Sequence, residues 1–420
     1  MTTTTKTDRP ITIAVVGGGA AGLMAAARAL SLGADVTVFE RNDRVGKKLA
    51  ITGKGRCNLT NDSPPEVHLQ NVLSNPRFLS SAARRFTAAD TMAFFEGLGV
   101  PLKTERGNRV FPVSDRAADV VAALAGLVSG RVEHRRVTGL TVENGTVTGV
   151  RLGKTERRFD AVILCTGGLS YPRTGSDGDG FRMAEALGIE TAMPRPSLVP
   201  MTSPDRFCAA MQGLSLKNTA LRVEREDGRI VYTDFGEMMF THFGVTGPMI
   251  LSASAMIPDL VPGRYLLLLD LKPALDEKAL DARLLSDFGK TLNRDFANSL
   301  GALLPAKMIP VVVGLSGIAP NKKVHDITRD ERRSLVTLLK RFPIRVDGFR
   351  PIDEAIVTKG GISVKELDPR TMAVKRFPGL FAAGELIDVD AYTGGFNLQI
   401  AFSTAVCAAD GACRYAEGIR

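Results

Sequence analysis

The chain has 420 residues, enough for two or three domains, and its 44% hydrophobic and 24% charged content excludes a disordered or low-complexity protein. No apolar run approaches the roughly 20 residues that cross a bilayer. The polar, Thr-rich start from Met1 to Pro10 has no signal-peptide core, so a cytoplasmic protein is the expectation. The net charge of +9 lies mostly before residue 197 and is spread through that segment. That spread favours a mixed solvated surface with a phosphate-binding pocket over a nucleic-acid surface.

The first element is an apolar, β-branched run, Ile11 to Val16, which reads as a strand buried on both faces of a parallel sheet. Gly17, Gly19 and Gly22 follow in the spacing Gly-x-Gly-x-x-Gly, and Ala20 to Leu30, with Ala21 in its first turn, reads as a helix. Asp35 to Phe39 is a second strand ending on Glu40, which lies 40 − 17 = 23 residues after the first glycine. The first glycine permits the turn, the second lets backbone approach a pyrophosphate, and the third lets helix and strand pack closely. The helix N-terminus offers free N–H groups to the phosphates, and Glu40 can accept from ribose hydroxyls. An acid rather than a base at that position argues for FAD or NAD and against NADP.

Arg41 to Asn61 carries Gly46-Lys47-Lys48 and Gly53-Lys54-Gly55-Arg56-Cys57-Asn58 without apolar periodicity and reads as a basic, glycine-rich loop. Arg77 to Gly97 and Ala117 to Val128 read as helices. Arg131 to Leu152 reads as three short strands with a hairpin at Asn144-Gly145. Phe159 to Leu164 is another buried strand, closing on Cys165-Thr166-Gly167-Gly168. A glycine-rich loop to Gly180 and a helix from Phe181 to Leu187 follow, and Pro194, Pro196 and Pro200 mark a boundary.

Short strands then alternate with turns (Leu221 to Val223, Ile230 to Tyr232, Tyr265 to Leu271), and residues 276–342 read as helical, interrupted by Pro305, Pro310 and Pro320. The style of the first segment returns near Ile356. Leu380 to Ala383 reads as a strand leading into Gly384-Glu385 and Asp388. Gly394-Gly395 and a long helix, Leu398 to Arg414, come next. An acid at such a turn can hold ribityl hydroxyls, and a helix N-terminus can stabilise negative charge on a reduced flavin ring. The expected division is 1–196 with 356–420 as one domain and 197–355 as an insert, β-rich over about 197–272 and helical over about 273–345.

The five cysteines, Cys57, Cys165, Cys208, Cys407 and Cys413, are odd in number and widely spaced, with no Cys-x-x-Cys. That argues against a disulfide framework, a zinc site and a redox-active dithiol beside a flavin. Four scattered histidines give no metal site.

Four segments together resemble the bacterial FAD-binding flavoproteins that include a 3-dehydro-bile-acid 4,6-reductase and an aminoacetone oxidase. They are Val16-Gly-Gly-Gly-Ala-Ala-Gly22, Gly53-Lys-Gly-Arg-Cys-Asn-Leu-Thr-Asn61, Phe240-Thr-His-Phe-Gly-Val-Thr-Gly-Pro248, and Val357-Thr-Lys-Gly-Gly-Ile362 with Gly384-Glu-Leu-Ile-Asp388 and Gly394-Gly-Phe-Asn-Leu-Gln-Ile400. The resemblance implies an α/β fold, a glutathione-reductase-like FAD-binding Rossmann domain with an inserted β-barrel plus helical domain. It implies FAD contacts from Gly17, Gly19, Ala20, Ala21, Gly22, Glu40, Arg41, Lys47, Lys48, Gly53, Arg56, Cys57, Asn58, Val137, Thr166, Gly167 and Gly168, and later from Gly384, Glu385, Asp388, Gly395, Phe396, Asn397, Leu398 and Gln399. The expected activity is an FAD-dependent oxidoreductase. In one reading NAD(P)H is the transient donor and a small molecule such as a conjugated ketone is reduced; in the other the chain is an amine oxidase using oxygen. An RNA-associated flavoprotein is the minor alternative. Tyr171, Tyr392 and His242 are candidate proton donors for an enone.

Overall fold

In the computed structural model, residues 9–419 are described; the expected N-terminal tail therefore lies almost wholly outside them. Two compact units are present, one formed by Met1–Ser197 with Ile352–Arg420 and the other by Leu198–Pro351.

The first unit is built on a five-stranded parallel sheet. Its order is Leu380–Ala382, Ala161–Leu164, Thr12–Val16, Asp35–Phe39 and Val132–Glu133. Val16 lies opposite both Phe39 and Leu164, and Leu164 lies opposite Ala382. That register brings Gly17, Glu40, Cys165 and Ala383 to the same carboxyl edge. The order reverses direction between Thr12–Val16 and Ala161–Leu164, the kind of switch point where ligands bind in open α/β sheets. The Ala20–Ser31 and Phe396–Gly418 helices pack on each other and on the sheet through small residues, Ala25, Ala26, Ala29, Ala405, Ala408, Ala409 and Ala412, all within the core. The chain leaves this unit along Thr191–Ser197 and returns along Val357–Ile362, two strands that pair antiparallel.

Several elements depart from sequence expectation. Arg77 to Gly97 is two helices, Ser80–Arg85 and Ala88–Gly97, because Thr87 stops the first and caps the second in a reciprocal box with Asp90. Within the Arg41 to Asn61 segment, Lys47–Ile51 forms a short helix, followed by a tight turn in which Gly53 and Lys54 are left-handed. A strand at Thr155–Arg158 has no sequence signal, because all four residues are exposed and carry no apolar alternation.

The second unit holds a seven-stranded antiparallel sheet, ordered Phe342–Arg345, Tyr265–Asp270, Ser215–Arg225, Ile230–Phe240, Gly244–Thr246, Met201–Thr202 and Gly348–Phe349. The first and last strands in that order are separated in the chain by Val346 and Asp347 alone. The sheet must therefore curl on itself in the manner of a barrel. Pro248–Met256 packs on it, and Glu277–Gly289, Ile309–Ser316 and Arg329–Lys340 share its core. Pro310 sits in the first turn of its helix, where its missing N–H costs nothing. Among the described residues no helix is long and apolar enough to cross a membrane.

Candidate functional site

The carboxyl edge of the parallel sheet is lined by glycines with no room for a side chain. Gly17 has φ +107°, and a Cβ there would stand 2.5 Å from the Cys165 carbonyl oxygen. A Cβ on Gly22 would fall 1.8 Å from the Gly17 oxygen, so this glycine permits helix and turn to touch. Gly19 is different. It is the N-cap of the Ala20–Ser31 helix, no side chain caps it, and a Cβ there would meet open space. The first turn, with Ala20 and Ala21, thus presents free N–H groups to an open volume.

Glu40 ends the second strand and is 7% exposed. Its Oε2 accepts from Gly18 N at 2.8 Å, and its Oε1 accepts from Asn42 N at 2.8 Å and from Asn42 Nδ2 at 2.6 Å. These bonds fix the carboxylate beside the glycine turn. Arg41 turns away to Asp177 and Asp179, where Arg136 and Arg182 also converge.

The two adjacent lysines part company. Lys47 pairs with Asp43 at 2.6 Å, whereas Lys48 turns inward. Lys48 Nζ donates to Glu385 Oε2 at 2.5 Å and to Ser170 Oγ at 2.6 Å; Ser170 Oγ and Thr358 N both donate to Glu385 Oε1 at 2.8 Å. Burial pushes the Glu385 carboxyl up, but Lys48 and these donors outweigh it and hold the group below the ordinary glutamate range. Thr358 Oγ1 in turn accepts from Leu169 N and Ser170 N and fills the place where Gly168 would carry a Cβ. Glu385 is therefore consumed by protein partners and orients Lys48. Ser170 and Thr358 complete this network without having been singled out in the sequence, although Thr358 lies inside one of the motif segments.

The glycine-rich loop after Lys48 is also internally committed. Arg56 is bonded to Glu105 and Asp115 and lies 4.2 Å above the Phe111 ring. Cys57 is left-handed and wholly buried, and burial pushes its thiol up to about 12. Asn58, with its amide in the orientation that its neighbours demand, accepts from Gly395 N at 3.0 Å and so braces the second glycine loop. Gly53 is left-handed, and Val137 is buried in the core.

The remaining candidates gather at the same edge. Thr166 adjoins the Gly17 turn through its Cα, and its Oγ1 is buried against Gly180 with no hydrogen-bond partner. Gly167 is left-handed. Gly384 N donates to Thr404 Oγ1, and a Cβ on Gly384 would stand 2.8 Å from that of Ala21, so the two glycine turns are in contact. Gly395, at φ +100°, is the uncapped N-cap of the Phe396–Gly418 helix. Asn397 ties the preceding loop through Ala391 and Tyr392. Gln399 is satisfied at both ends by Thr60, Thr91, Phe86 O and Ser403, so it is a packing residue. Phe396 stacks edge-on against His68, and Leu398 packs against the core.

The expected proton donors are not equivalent. Tyr171 is held left-handed, and burial and Glu354 raise its hydroxyl above the ordinary range. Tyr392 N is bonded to Asn71 O. His242 belongs to the second unit, exposed on the turn between Thr241 and Gly244 with its ring against Phe243. Asp388 is half-buried, and burial together with the nearby Asp390 charge raises its carboxyl above the ordinary range despite a bond from Asn75. Among the described residues no group of three or more His, Cys, Asp or Glu could hold a metal ion, and the five cysteines are free and buried.

The fold of this chain recurs in known proteins. A solved 3-ketosteroid-delta4-(5alpha)-dehydrogenase from Rhodococcus jostii RHA1 superposes with a TM-score of 0.52 at 17% identity, covering 99% of each chain. A 3-dehydro-bile acid delta(4,6)-reductase of Clostridium scindens is 30% identical over 94% of this chain and 97% of its own length. A ribosomal RNA dihydrouridine synthase of Haemophilus influenzae is 28% identical over 94% and 96%. The model of the HI0933-like protein Rossmann domain matches residues 11–411, and the chain belongs to that family.

Proposed function

We propose that this chain is an FAD-dependent oxidoreductase that reduces a carbon–carbon double bond conjugated to a carbonyl, with NAD(P)H as the transient electron donor. The observation that carries the cofactor is the carboxyl edge itself: an uncapped helix N-terminus facing open space at Gly19, Glu40 fixed beside it, and a second uncapped N-terminus at Gly395. In this reading Gly17 to Gly22 hold the pyrophosphate and Glu40 the adenosine ribose. Lys48, oriented by Glu385, lends positive charge near the middle, and the Gly395–Phe396 backbone faces the ring. Bound FAD would supply the hydride; the protein binds, orients and protonates.

The substrate class is supported by two relatives whose names describe different molecules. A delta(4,6) bile acid and a uridine each present a C=C next to a carbonyl, so one chemistry serves both. The test is an anaerobic visible spectrum of the purified protein as NADH and then NADPH are added. Bleaching of bound flavin, followed by reoxidation with a steroid 4,6-dien-3-one, supports the reading. A flavin that neither donor reduces, with oxygen consumption on amines, favours the oxidase alternative. A second reading, an RNA substrate, is favoured by the dihydrouridine synthase relative. It predicts binding to ribosomal RNA that falls steeply with salt; no retardation at low salt removes it.

A further inference from the structure

Residues 169–179 run from the Glu385 network to the neighbourhood of Glu40. The first end is pinned by Leu169 N and Ser170 N, which donate to Thr358 Oγ1 at 2.8 and 3.1 Å. The far end enters the Asp179–Ala186 helix. Between them the chain bends through three left-handed residues, Tyr171, Gly175 and Gly178. Gly175 lies against Asn42: a Cβ there would stand 2.5 Å from Asn42 Nδ2. That amide donates to Thr174 O at 3.0 Å and to Glu40 Oε1 at 2.6 Å. One side chain thus ties the segment to the buried acid beside the glycine turn. The Asn42 carbonyl accepts in turn from His134 Nδ1 at 2.6 Å. The remaining fastening is ionic. Arg41, next in the chain to Glu40, is bonded to Asp177. Arg136 donates from Nε and Nη2 to the two carboxylate oxygens of Asp179, at 2.8 and 2.5 Å, and lies 3.6 Å from Asp177. Arg182 bonds Asp179 and donates to Asp177 O at 3.0 Å. The Asp179 side chain is 14% exposed, whereas those of Arg136 and Arg182 are 49% and 56% exposed.

Three arginines set against two aspartates form a network rather than a single pair, and the cations stand largely in water, where salt screens them. The backbone of the segment closes local turns of its own: Thr174 N donates to Tyr171 O at 2.8 Å, Gly175 N to Pro172 O at 3.0 Å and Asp177 N to Gly175 O at 3.1 Å. Its position against the sheet edge is therefore set by side chains. We propose that residues 171–179 are an ionic clasp on the adenosine side of the cofactor site. Arg41 and Arg136 hold Asp177 and Asp179, which keeps Thr174 on Asn42 and Asn42 on Glu40, and opening of the clasp lets the cofactor leave. This rests on the function proposed above. Arg136 is a positioning residue: it comes from the loop after the Val132–Glu133 strand and acts through Asp179. The left-handed residues at 171, 175 and 178 are the points where the segment turns, and Gly175 is the one that lets it reach Asn42.

The test has two arms. In the first, hydrogen exchange of a peptide spanning residues 171–178 is followed in the protein without added flavin, at about 50 mM and about 1 M NaCl, the second cutting the Debye length to roughly 3 Å. Exchange is expected to quicken about threefold or more with salt in the unmodified protein. It should be fast at both salt concentrations in Arg136→Gln and in Asp177→Asn, and Arg136→Lys should restore part of the salt dependence. In the second arm, release of FAD from the loaded protein is read as the fluorescence change on dilution. At the lower salt Arg136→Gln and Asp177→Asn should release it about tenfold faster than the unmodified protein, and at the higher salt the three rates should converge. If exchange in residues 171–178 responds neither to salt nor to the variants, the ionic fastening is overturned. If exchange responds while the release rates at the lower salt stay equal, the segment does not hold the cofactor. Failure to retain FAD in the unmodified protein overturns the functional reading and leaves the exchange arm intact.

Discussion

At the residue scale the site depends on positions where one atom more or less changes the outcome. Glu40 accepts three protein hydrogen bonds, and a neutral amide keeps the shape but loses the charge. Glu40→Gln is expected to weaken FAD binding about tenfold, roughly 1.4 kcal/mol, in a fluorescence-quenching titration. An unchanged affinity would remove Glu40 from the adenosine end. Gly395 offers a steric counterpart. Its φ is +100°, and a Cβ would stand 2.3 Å from the Thr60 carbonyl group. Gly395→Ala should destabilise the protein by about 2 kcal/mol or more in urea and release flavin, because the loop must move before the methyl fits. Cys57 makes the contrary point. The sequence put it in a cofactor loop, but its buried thiol, pushed up to about 12, has the character of a small packing group.

At the element scale, Lys48 and Glu385 join the Lys47–Ile51 helix to the turn after the Leu380–Ala382 strand. Lys48→Met leaves the part-buried Glu385 carboxylate without its cation and should cost roughly 2 kcal/mol at pH 7, with part of the loss recovered by adding Glu385→Gln. A double-mutant cycle by urea denaturation measures the coupling; additive effects would dissolve the network. The sign with pH follows from the depressed Glu385 value. Its contribution is fully present above the ordinary glutamate range and is lost as pH falls through the lower folded value. The Lys48→Met deficit should therefore shrink on acidification from pH 7 to below pH 4.

At the scale of the whole molecule, two separate hydrophobic cores, one per unit, predict two calorimetric transitions. Saturating flavin at 100 times its dissociation constant should stabilise the first unit by about 2.7 kcal/mol and shift its transition. A single peak moving as one would show that the units unfold together. The chain's membership of the HI0933-like family extends over both units, since the match runs from residue 11 to residue 411.

The sequence by itself determined the βαβ start. Its strand, three glycines, helix and acid are consecutive in the chain, and each acts through local backbone geometry, so spacing alone specifies the turn. The long C-terminal helix and the strands flanking Thr166 and Gly384 were legible for the same reason. Only the tertiary structure decided which of Lys47 and Lys48 turns inward, because both have the same local sequence context and the choice depends on Glu385, 337 residues away. It also decided that Glu385, Gln399 and Arg56 are taken up by protein partners, that Asn75 bonds Asp388, and that Ser197 bonds Asp390. Their hydrogen bonds close across chain separations that no periodicity records. Side-chain pairing between distant segments is settled by the packing of the core, whereas glycine turns are settled by the residues within them.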